Sequence, residues 1–346
     1  LSHHNIQSNL EQMSMVFRIT QQDRFCGVLP LFHCFGLTIT LWFPLMHGAA
    51  VSFIPNPLDG KAVADCVRKD RCTLLLATPT FLQVYLRRAE RVDLASLREV
   101  IVGAEKLTSD LADAFEQRFG IRPHEGYGAT ETSPVISINL PAVEIDGVRQ
   151  IGTKPGSVGQ SMPGMALKVT DPDTGRVLPP GQQGLLWVKG PNVMRGYLGA
   201  PDLTREVIQD GWYNTGDIVT LDEDGFLFIT DRLSRFSKIG GEMVPHVQVE
   251  QVCSKTLKTT ERVMAVTGVP DPVKGEELVV LYVPIKACPE RMHEAITASA
   301  LPNLWKPRRR NFMPVESIPI LGSGKLDIQR LRHLAVEQAA VQTPLS

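Results

Sequence analysis

Apolar and amphipathic segments alternate over the first 139 residues of the chain. Three short apolar runs predict strands, and each is followed by a segment with helical periodicity. The successive pairs are 50–54 with 61–69, 73–77 with 80–88, and 100–102 with 109–119. Strand–helix alternation of this kind predicts a parallel β-sheet with helices on both faces, and therefore an α/β domain.

The pattern changes near residue 151. Apolar runs at 166–169 and 184–188 are separated by turns rich in glycine and proline, such as 179–181. Short apolar segments between such turns are typical of antiparallel strands. The sequence therefore predicts a small antiparallel β-subdomain at 151–200.

Beyond residue 231 the pattern predicts a third kind of organisation. A hairpin is followed by helices and strands near 246–258, 263–269, 278–283 and 291–300, and by a last helix from about 326. These elements predict a small α+β domain. The predicted division is a large domain at 1–231, which includes the β-subdomain, and a small domain at 232–346.

The segment 36–54 contains no aspartate, glutamate, lysine or arginine. It is about long enough to cross a membrane as a helix. Pro44, His47 and Gly48 interrupt it, however, and favour a buried helix followed by a buried strand. Membrane spanning remains the second interpretation of this segment.

Composition and charge exclude several classes of protein. Hydrophobic residues make up 43% of the chain, which favours a packed core over disorder. The six cysteines form no C-x-x-C pair and the histidines have no metal-ligand spacing, which favours a reduced, cytoplasmic setting. The net charge of −1 is uneven, because residues 232–346 hold 16 lysines and arginines against 11 acidic residues. That part could meet an acidic partner, but no basic run suggests nucleic acid.

Candidate chemistry is concentrated at 212–244. Asn214-Thr215-Gly216-Asp217 predicts a turn, and the carboxylate of Asp217 can accept two hydrogen bonds from a ribose diol. Arg232 can fork onto the same diol or onto a phosphate, and Gly240-Gly241 permits close approach of the backbone. Together these features predict a nucleotide clamp beside a hinge, although Asp217 could simply cap its own turn.

Two glycine-rich segments add further candidates. In the segment 126–132, Tyr127 can stack on a base, Thr130 offers a hydroxyl to phosphate, and Glu131 can hold Mg²⁺ through oxygen. The alternative interpretation is a turn after a strand with an exposed glutamate. Lys325 follows a short glycine loop, and it could instead be a solvated lysine before a helix.

Two catalytic patterns are missing from the sequence. No histidine is followed at the fifth position by aspartate, and no G-x-S-x-G nucleophile elbow occurs. A hydrolase and a direct glycerolipid acyltransferase are therefore poorly supported.

The ordered motifs resemble the acyl-adenylate-forming (AMP-binding) enzyme superfamily over nearly the whole chain. They are LPLFHCFGLT at 29–38, VGAEKL at 102–107, GYGATE at 126–131, GLLWVKGPNVMRGY at 184–197, YNTGD at 213–217, DRLSRFSKIGGEMV at 231–244 and PILGSGK at 319–325. Within it, GYGATETSPVISINLP, RFSKIGGEMV and ILGSGKLD are most similar to the acyl-[acyl-carrier-protein] synthetase part of bifunctional 2-acylglycerophosphoethanolamine acyltransferases. The resemblance implies ATP-dependent activation of a fatty acid to acyl-AMP, with Mg²⁺, and transfer of the acyl group to a thiol.

The resemblance also implies roles for individual residues. The adenine would be lined by Gly103, Ala104, Glu105 and Tyr127, and Gly128 would also belong to the nucleotide-binding residues. The ribose would be bound by Asp217 and Arg232, and the phosphates and Mg²⁺ by Thr130 and Glu131. The acyl group would lie near His33, and Lys325 would bridge the acyl carboxylate and the α-phosphate. In the thioester step, rotation of a mobile C-terminal domain at the hinge position, Ser234, would bring Lys238 and Gly241 to the site.

Two departures from the family pattern keep alternatives open. The hinge residue, usually aspartate or lysine, is Ser234, and the phosphate-binding loop would precede Leu1. The expected acceptor is the phosphopantetheine of an acyl carrier protein, with coenzyme A as the alternative. A non-catalytic nucleotide-binding fragment is a third interpretation. The expected location is the cytoplasm, and peripheral or tethered attachment to the inner membrane through a segment before Leu1 stays open.

Overall fold

The computed structural model describes residues 1–257, 262–284, 287–320 and 326–342. The chain divides into two compact units, Leu1–Thr230 and Asp231–Ser346. The boundary predicted after residue 231 lies beside this division, and the mobility of the second domain stays a prediction. The α/β architecture predicted from the sequence is confirmed.

The first unit, Leu1–Thr230, contains both helices and strands. Its helices are α1 (His3–Val16), a π-helix (Gly36–Trp42), α2 (Phe43–His47), α3 (Gly60–Asp70), α4 (Pro79–Arg88), α5 (Ser109–Phe119) and α6 (Pro201–Val207). Its strands are β1 (Arg24–Gly27), β2 (Ala50–Phe53), β3 (Leu74–Ala77), β4 (Glu99–Val102), β5 (His124–Gly128), β6 (Val135–Ile138), β7 (Val143–Ile145), β8 (Val148–Gln150), β9 (Gln160–Ser161), β10 (Ala166–Thr170), β11 (Gln183–Lys189), β12 (Ile208–Gln209) and β13 (Trp212–Leu221), and β14 (Leu227–Arg232) pairs with β13.

The main sheet has seven strands in the order β2-β1-β3-β4-β5-β6-β9. Strands β1 to β5 pair in parallel, as the strand–helix alternation predicts. Strand β6 instead runs antiparallel to β5, and β9 antiparallel to β6. The direction reverses because only a short turn at 129–134 joins β5 to β6, whereas a parallel neighbour requires a long crossover.

Both faces of the main sheet are buried, as predicted. One core cluster contains Cys26, Leu75 and Val100 together with apolar residues of α3, α4 and α5. The other contains alternate residues of the same strands, such as Phe25 and Leu74, with residues of α1 and the π-helix. The period of two along each strand therefore divides its side chains between two helical layers.

The predicted buried helix and buried strand at 36–54 are only half buried. Phe43 lies in the core, but Trp42 and Leu45 expose 46% and 58% of their surfaces. Strand β2 lies at the edge of the sheet and exposes 45% of Phe53. Hydrophobicity alone cannot distinguish an edge strand from a central one, since both read as apolar runs. Within the described residues, no helix is long and apolar enough to cross a membrane.

The predicted antiparallel subdomain is present as a second sheet in the order β10-β11-β13-β12. The predicted turn at Asn214–Asp217 is wrong, because these residues belong to β13. Trp187 of β11 pairs with Asn214, and Leu185 pairs with Ile218, so three residues of β13 lie opposite Leu186 alone. A β-bulge replaces the turn, and the positive φ of Gly216 (+72°) supplies the necessary backbone conformation.

The second unit is a small α+β domain with its own core. Its elements are β15 (Phe236–Ile239), β16 (Glu242–Pro245), α7 (His246–Ser254), β17 (Met264–Asp271), β18 (Gly275–Tyr282), α8 (Pro289–Ala298), β19 (Phe312–Pro314) and α9 (Ile328–Gln342). Gly240 and Gly241 form the two-residue loop of the β15–β16 hairpin with φ of +56° and +89°. Such hairpin loops favour residues that tolerate positive φ, which explains the double glycine without a ligand.

Candidate functional site

The segment Gly126–Thr132 leaves the main sheet at the carboxyl end of β5, where ligands of open α/β sheets usually bind. Its second glycine is required by packing. A Cβ atom on Gly128 would lie 1.9 Å from the carbonyl oxygen of Pro134. The close approach that Gly128 permits is therefore to the backbone just before β6.

Tyr127 and Asp217 meet, although 90 residues separate them in the sequence. The Tyr127 hydroxyl donates a hydrogen bond to the Asp217 carboxylate, which is only 4% exposed. The bulge fixes this carboxylate, because the Asp217 amide donates to Thr215 Oγ1 at 3.1 Å and Thr215 Oγ1 donates to the Leu186 carbonyl at 3.0 Å. The structure thus brings the two segments that were predicted to bind a nucleotide into contact within the first unit.

Glu131 lies half buried in the short turn after β5. Its Oε1 accepts a hydrogen bond from the Tyr197 hydroxyl at 2.8 Å, and its carbonyl accepts one from the Met194 amide at 2.7 Å. Burial, reinforced by the Glu131 carboxylate, raises the pKa of Tyr197 to about 12, so this hydroxyl remains a donor. The alternative of a glutamate exposed on a turn is therefore wrong.

Tyr197 and Asn192 are site residues that the sequence reasoning missed. Asn192 Nδ2 donates to the Thr132 carbonyl at 2.7 Å, and Ser133 Oγ donates to the Asn192 carbonyl at 2.9 Å. Both Asn192 and Tyr197 lie in the quoted motif at 184–197, to which no role was given. The available signal in the sequence was an asparagine and a tyrosine, both able to form hydrogen bonds through their side chains, within one motif.

The segment after β4 lies next to β5. Gly103 is buried, and a Cβ atom there would lie 3.3 Å from the Gly126 carbonyl oxygen. Ala104 adopts a φ of +68°, an uncommon conformation for a residue with a side chain. Glu105 Oε2 accepts hydrogen bonds from the amide and hydroxyl of Thr80 at 3.1 and 2.6 Å, so its carboxylate caps the first turn of α4.

His33 and its neighbours, which follow β1, lie close to the segments that follow β4 and β5. Cys34 Sγ lies 3.3 Å from Thr130 Oγ1, and the ring of Phe35 lies 3.4 Å from the position of a Cβ atom on Gly103. The Phe35 amide donates to His33 Nδ1 at 3.2 Å, which fixes that ring nitrogen as an acceptor. Phe32 exposes 88% of its surface in this unit.

The remaining predicted residues belong to the second unit. Arg232 ends β14 and Ser234 lies in a short 3₁₀ turn, and both are exposed. Lys238 is exposed on β15, where its amide donates to Glu276 Oε2 at 2.8 Å. Lys325 lies outside the described residues.

Comparison with known proteins identifies the family. Residues 1–198 match the AMP-binding enzyme family. A long-chain-fatty-acid–CoA ligase of Yersinia pestis is 34% identical over 288 residues, which are 82% of this chain and 49% of the relative. The chain thus spans about half the length of that protein.

Solved structures agree with this match. ATP-bound MatB from Rhodopseudomonas palustris is similar with a TM-score of 0.78 at 28% identity, over 96% of this chain and 64% of that structure. O-succinylbenzoate coenzyme A synthetase (MenE) from Bacillus subtilis, in complex with ATP and magnesium ion, gives a TM-score of 0.78 at 26% identity, over 95% and 66%. The chain belongs to the AMP-binding enzyme family.

Proposed function

We propose that the chain is the ligase portion of an enzyme that converts a fatty acid to acyl-AMP and then to a thioester. The observation that carries this proposal is the hydrogen bond from Tyr127 to the buried Asp217, which joins the two motifs expected to bind the nucleotide. The similarity to a long-chain-fatty-acid–CoA ligase supports the class of acid. A carboxylate is a poor electrophile, and adenylation supplies the leaving group that the thiol later displaces.

Asp217 is the proposed ribose ligand. Its carboxylate has acceptor capacity beyond the bond from Tyr127, since an ionised carboxylate offers about four lone-pair sites. The hydroxyl of Tyr127 orients the carboxylate, while its ring provides a face for the adenine. Gly103, Ala104, Glu105 and Gly128 form the backbone around that base in this proposal, and Arg232 is a second ribose ligand.

Glu131 and Thr130 are the proposed phosphate and Mg²⁺ residues. The site offers hard oxygen donors, a carboxylate and a hydroxyl, which is the donor set that Mg²⁺ prefers beside substrate phosphates. The hydrogen bond from Tyr197 holds the Glu131 carboxylate in one orientation. When bound, the ion would neutralise phosphate charge during attack of the fatty-acid carboxylate on the α-phosphorus.

Lys325 is the proposed cation for the adenylation step. Two unit charges 4 Å apart interact by about 4 kcal/mol at an effective dielectric constant of 20, so a lysine between the acyl carboxylate and the α-phosphate offsets a substantial repulsion. His33 is proposed to stand near the acyl group. Lys238 and Gly241, with Ser234 as the hinge residue, are proposed to serve the thioester step.

Coenzyme A is the acceptor that the relatives support, and an acyl carrier protein is the second candidate. Three exposed arginines, Arg308 to Arg310, favour the second, because carrier proteins are acidic. Arg309 pairs with Glu290 at 3.4 Å, and Arg310 with Glu277 at 3.8 Å, so part of this positive charge is already neutralised. The salt dependence of carrier use therefore decides whether the cluster docks a carrier.

The second half-reaction tests the proposal on the 346-residue chain itself. Preformed acyl-AMP contains no β- or γ-phosphate, so thioester formation does not need the family's phosphate-binding loop. The chain is mixed with palmitoyl-AMP and either coenzyme A or phosphopantetheinylated carrier protein, and the thioester is measured by mass spectrometry. We expect thioester with one of the two thiols. Reversal of Arg309 and Arg310 to glutamate should reduce carrier use alone.

A non-catalytic nucleotide-binding protein gives a different result. It would bind a non-hydrolysable acyl-adenylate analogue but form no thioester with either thiol above the uncatalysed rate. Failure to bind the analogue at all would remove the nucleotide site as well as the ligase function.

A further inference from the structure

Three cysteines meet in the core of the first unit, away from the proposed nucleotide site. Cys26, Cys66 and Cys72 are buried, and their sulfur atoms all lie within 4.8 Å of one another. Metal–thiolate bonds of about 2.3 Å place three sulfur atoms about 4 Å apart around one ion. A small contraction would therefore bring all three into a single coordination sphere.

The backbone around these cysteines is fixed in position. Cys26 lies in β1, Cys66 in α3, and Cys72 just beyond the end of α3. The Cys72 amide donates to the Val67 carbonyl at 3.0 Å, and Ser96 Oγ donates to the Cys72 carbonyl at 2.8 Å. Three thiols held by a strand, a helix and a helix terminus form a preorganised donor set.

A second observation in the same core cluster is an unpaired hydroxyl. Tyr85 is 1% exposed and packs in the same cluster, and its hydroxyl has no hydrogen-bond partner among the described residues. Burial, reinforced by nearby Cys26, raises the pKa of Tyr85. A thiol is a weak acceptor, whereas a thiolate bound to an ion is a strong one. In this proposal, the sulfur atoms of an occupied site would offer an acceptor to this hydroxyl.

We propose that Cys26, Cys66 and Cys72 bind one thiophilic ion through three sulfur atoms, and that the matched ligand is trivalent arsenic, supplied as arsenite. Three thiolates carry three negative charges, so a monovalent ion leaves a net charge of −2 and a divalent ion leaves −1. A trivalent ion leaves none. Net charge in an apolar core is strongly unfavourable, which favours the neutral complex.

The chemistry balances without an oxidant or reductant. As(OH)₃ reacts with three thiols, three As–O bonds are replaced by three As–S bonds, and each thiol proton leaves in a water molecule. Cys66 is the first point of attack, because it is 9% exposed whereas the other two are fully buried.

Arsenite binding to the reduced chain tests the proposal. Native mass spectrometry should show one arsenic per chain with loss of three waters, and thermal unfolding should shift upward by about 5 °C at a hundredfold excess over Kd. Cys66→Ala and Cys72→Ala should each weaken binding by at least about 100-fold, since each removes a direct ligand. Cys253→Ala, which removes a buried cysteine of the second unit, is the matched control and should bind normally.

Tyr85→Phe is a second variant for the case that the cysteine variants do not fold. It removes an unpaired buried hydroxyl and leaves all three sulfur atoms in place. We expect unfolding of the free protein at the same or higher temperature and arsenite affinity about tenfold lower. Unchanged affinity would remove Tyr85 from the site. Arsenite binding that survives Cys66→Ala, or binding of Zn²⁺ with no response to arsenite, would overturn the proposal.

Discussion

Replacement of Asp217 by alanine provides the sharpest test of the nucleotide site. The carboxylate is buried, is held by the bulge through its amide, and accepts a hydrogen bond from Tyr127. A hydrogen bond to a charged group contributes about 1.5–3 kcal/mol, and each 1.4 kcal/mol is a factor of about 10 in affinity. Loss of one ribose bond should therefore weaken AMP binding at least about tenfold, and loss of two about a hundredfold or more.

The assay is isothermal titration of AMP into the 346-residue chain. Asp217→Asn tests the effect of the charge separately from the effect of the side-chain shape. It retains one acceptor oxygen but removes the negative charge, which repels the phosphate of AMP. Asp171→Ala is the matched control, since its carboxylate accepts two loop amides, from Asp173 and Thr174, rather than a tyrosine hydroxyl. AMP affinity within about twofold of the unmodified chain, in an Asp217→Ala protein that is folded by circular dichroism, would refute the ribose assignment.

Three further predictions concern other parts of the chain. In a protein that contains the phosphate-binding loop, Lys325→Ala should lower ATP–pyrophosphate exchange by about 10²–10³ and leave transfer from preformed acyl-AMP nearly unchanged; equal loss in both steps would contradict its role. Gly128→Ala should destabilise the first unit by about 3 kcal/mol or more, because the new Cβ would meet the Pro134 carbonyl. Gly156→Ala, which has open space at a φ of +79°, should cost only about 1–2 kcal/mol. Urea unfolding of the two variants compares their free energies of unfolding. Burial lowers the pKa of His246 to about 3. As the pH falls, this histidine is therefore protonated in the unfolded state before it is protonated in the folded state. The free energy of unfolding should then fall by up to about 1.4 kcal/mol per pH unit below about pH 6.5. His246→Gln should remove that slope in urea titrations of the second unit.

The sequence predicts the elements of this fold well, because local patterns determine them. The helix at 80–88 and the strand at 73–77 lie within a residue or two of α4 and β3. The reversal at β6 was not predicted, since strand direction depends on the length of the connection, which an apolar run does not reveal. The half-exposed edge at β2 was missed for a related reason, because a strand's place in a sheet depends on its neighbours.

The candidate site was only partly predictable. Asp217, next to Gly216, and Glu131, three residues after Gly128, stand out in the sequence as carboxylates near glycines, and the structure brings each to a tyrosine hydroxyl. The partner tyrosines, Tyr127 and Tyr197, are 90 and 66 residues away from them. Only the three-dimensional pairing reveals such partners, so the roles of Tyr197 and Asn192 could not follow from spacing along the chain.

The bulge in β13 has a consequence for how this site can change. Because the extra length amounts to two residues, Tyr213 and Val219 remain on the same face of the strand, in one core cluster. Deletion of Thr215 and Gly216 together would shorten the segment by one full period and leave the core pattern intact, whereas deletion of Gly216 alone would turn every later side chain to the opposite face. Insertions and deletions in pairs can therefore remodel the bulged segment that carries Asp217 while the sheet keeps its packing, and single-residue changes in length cannot.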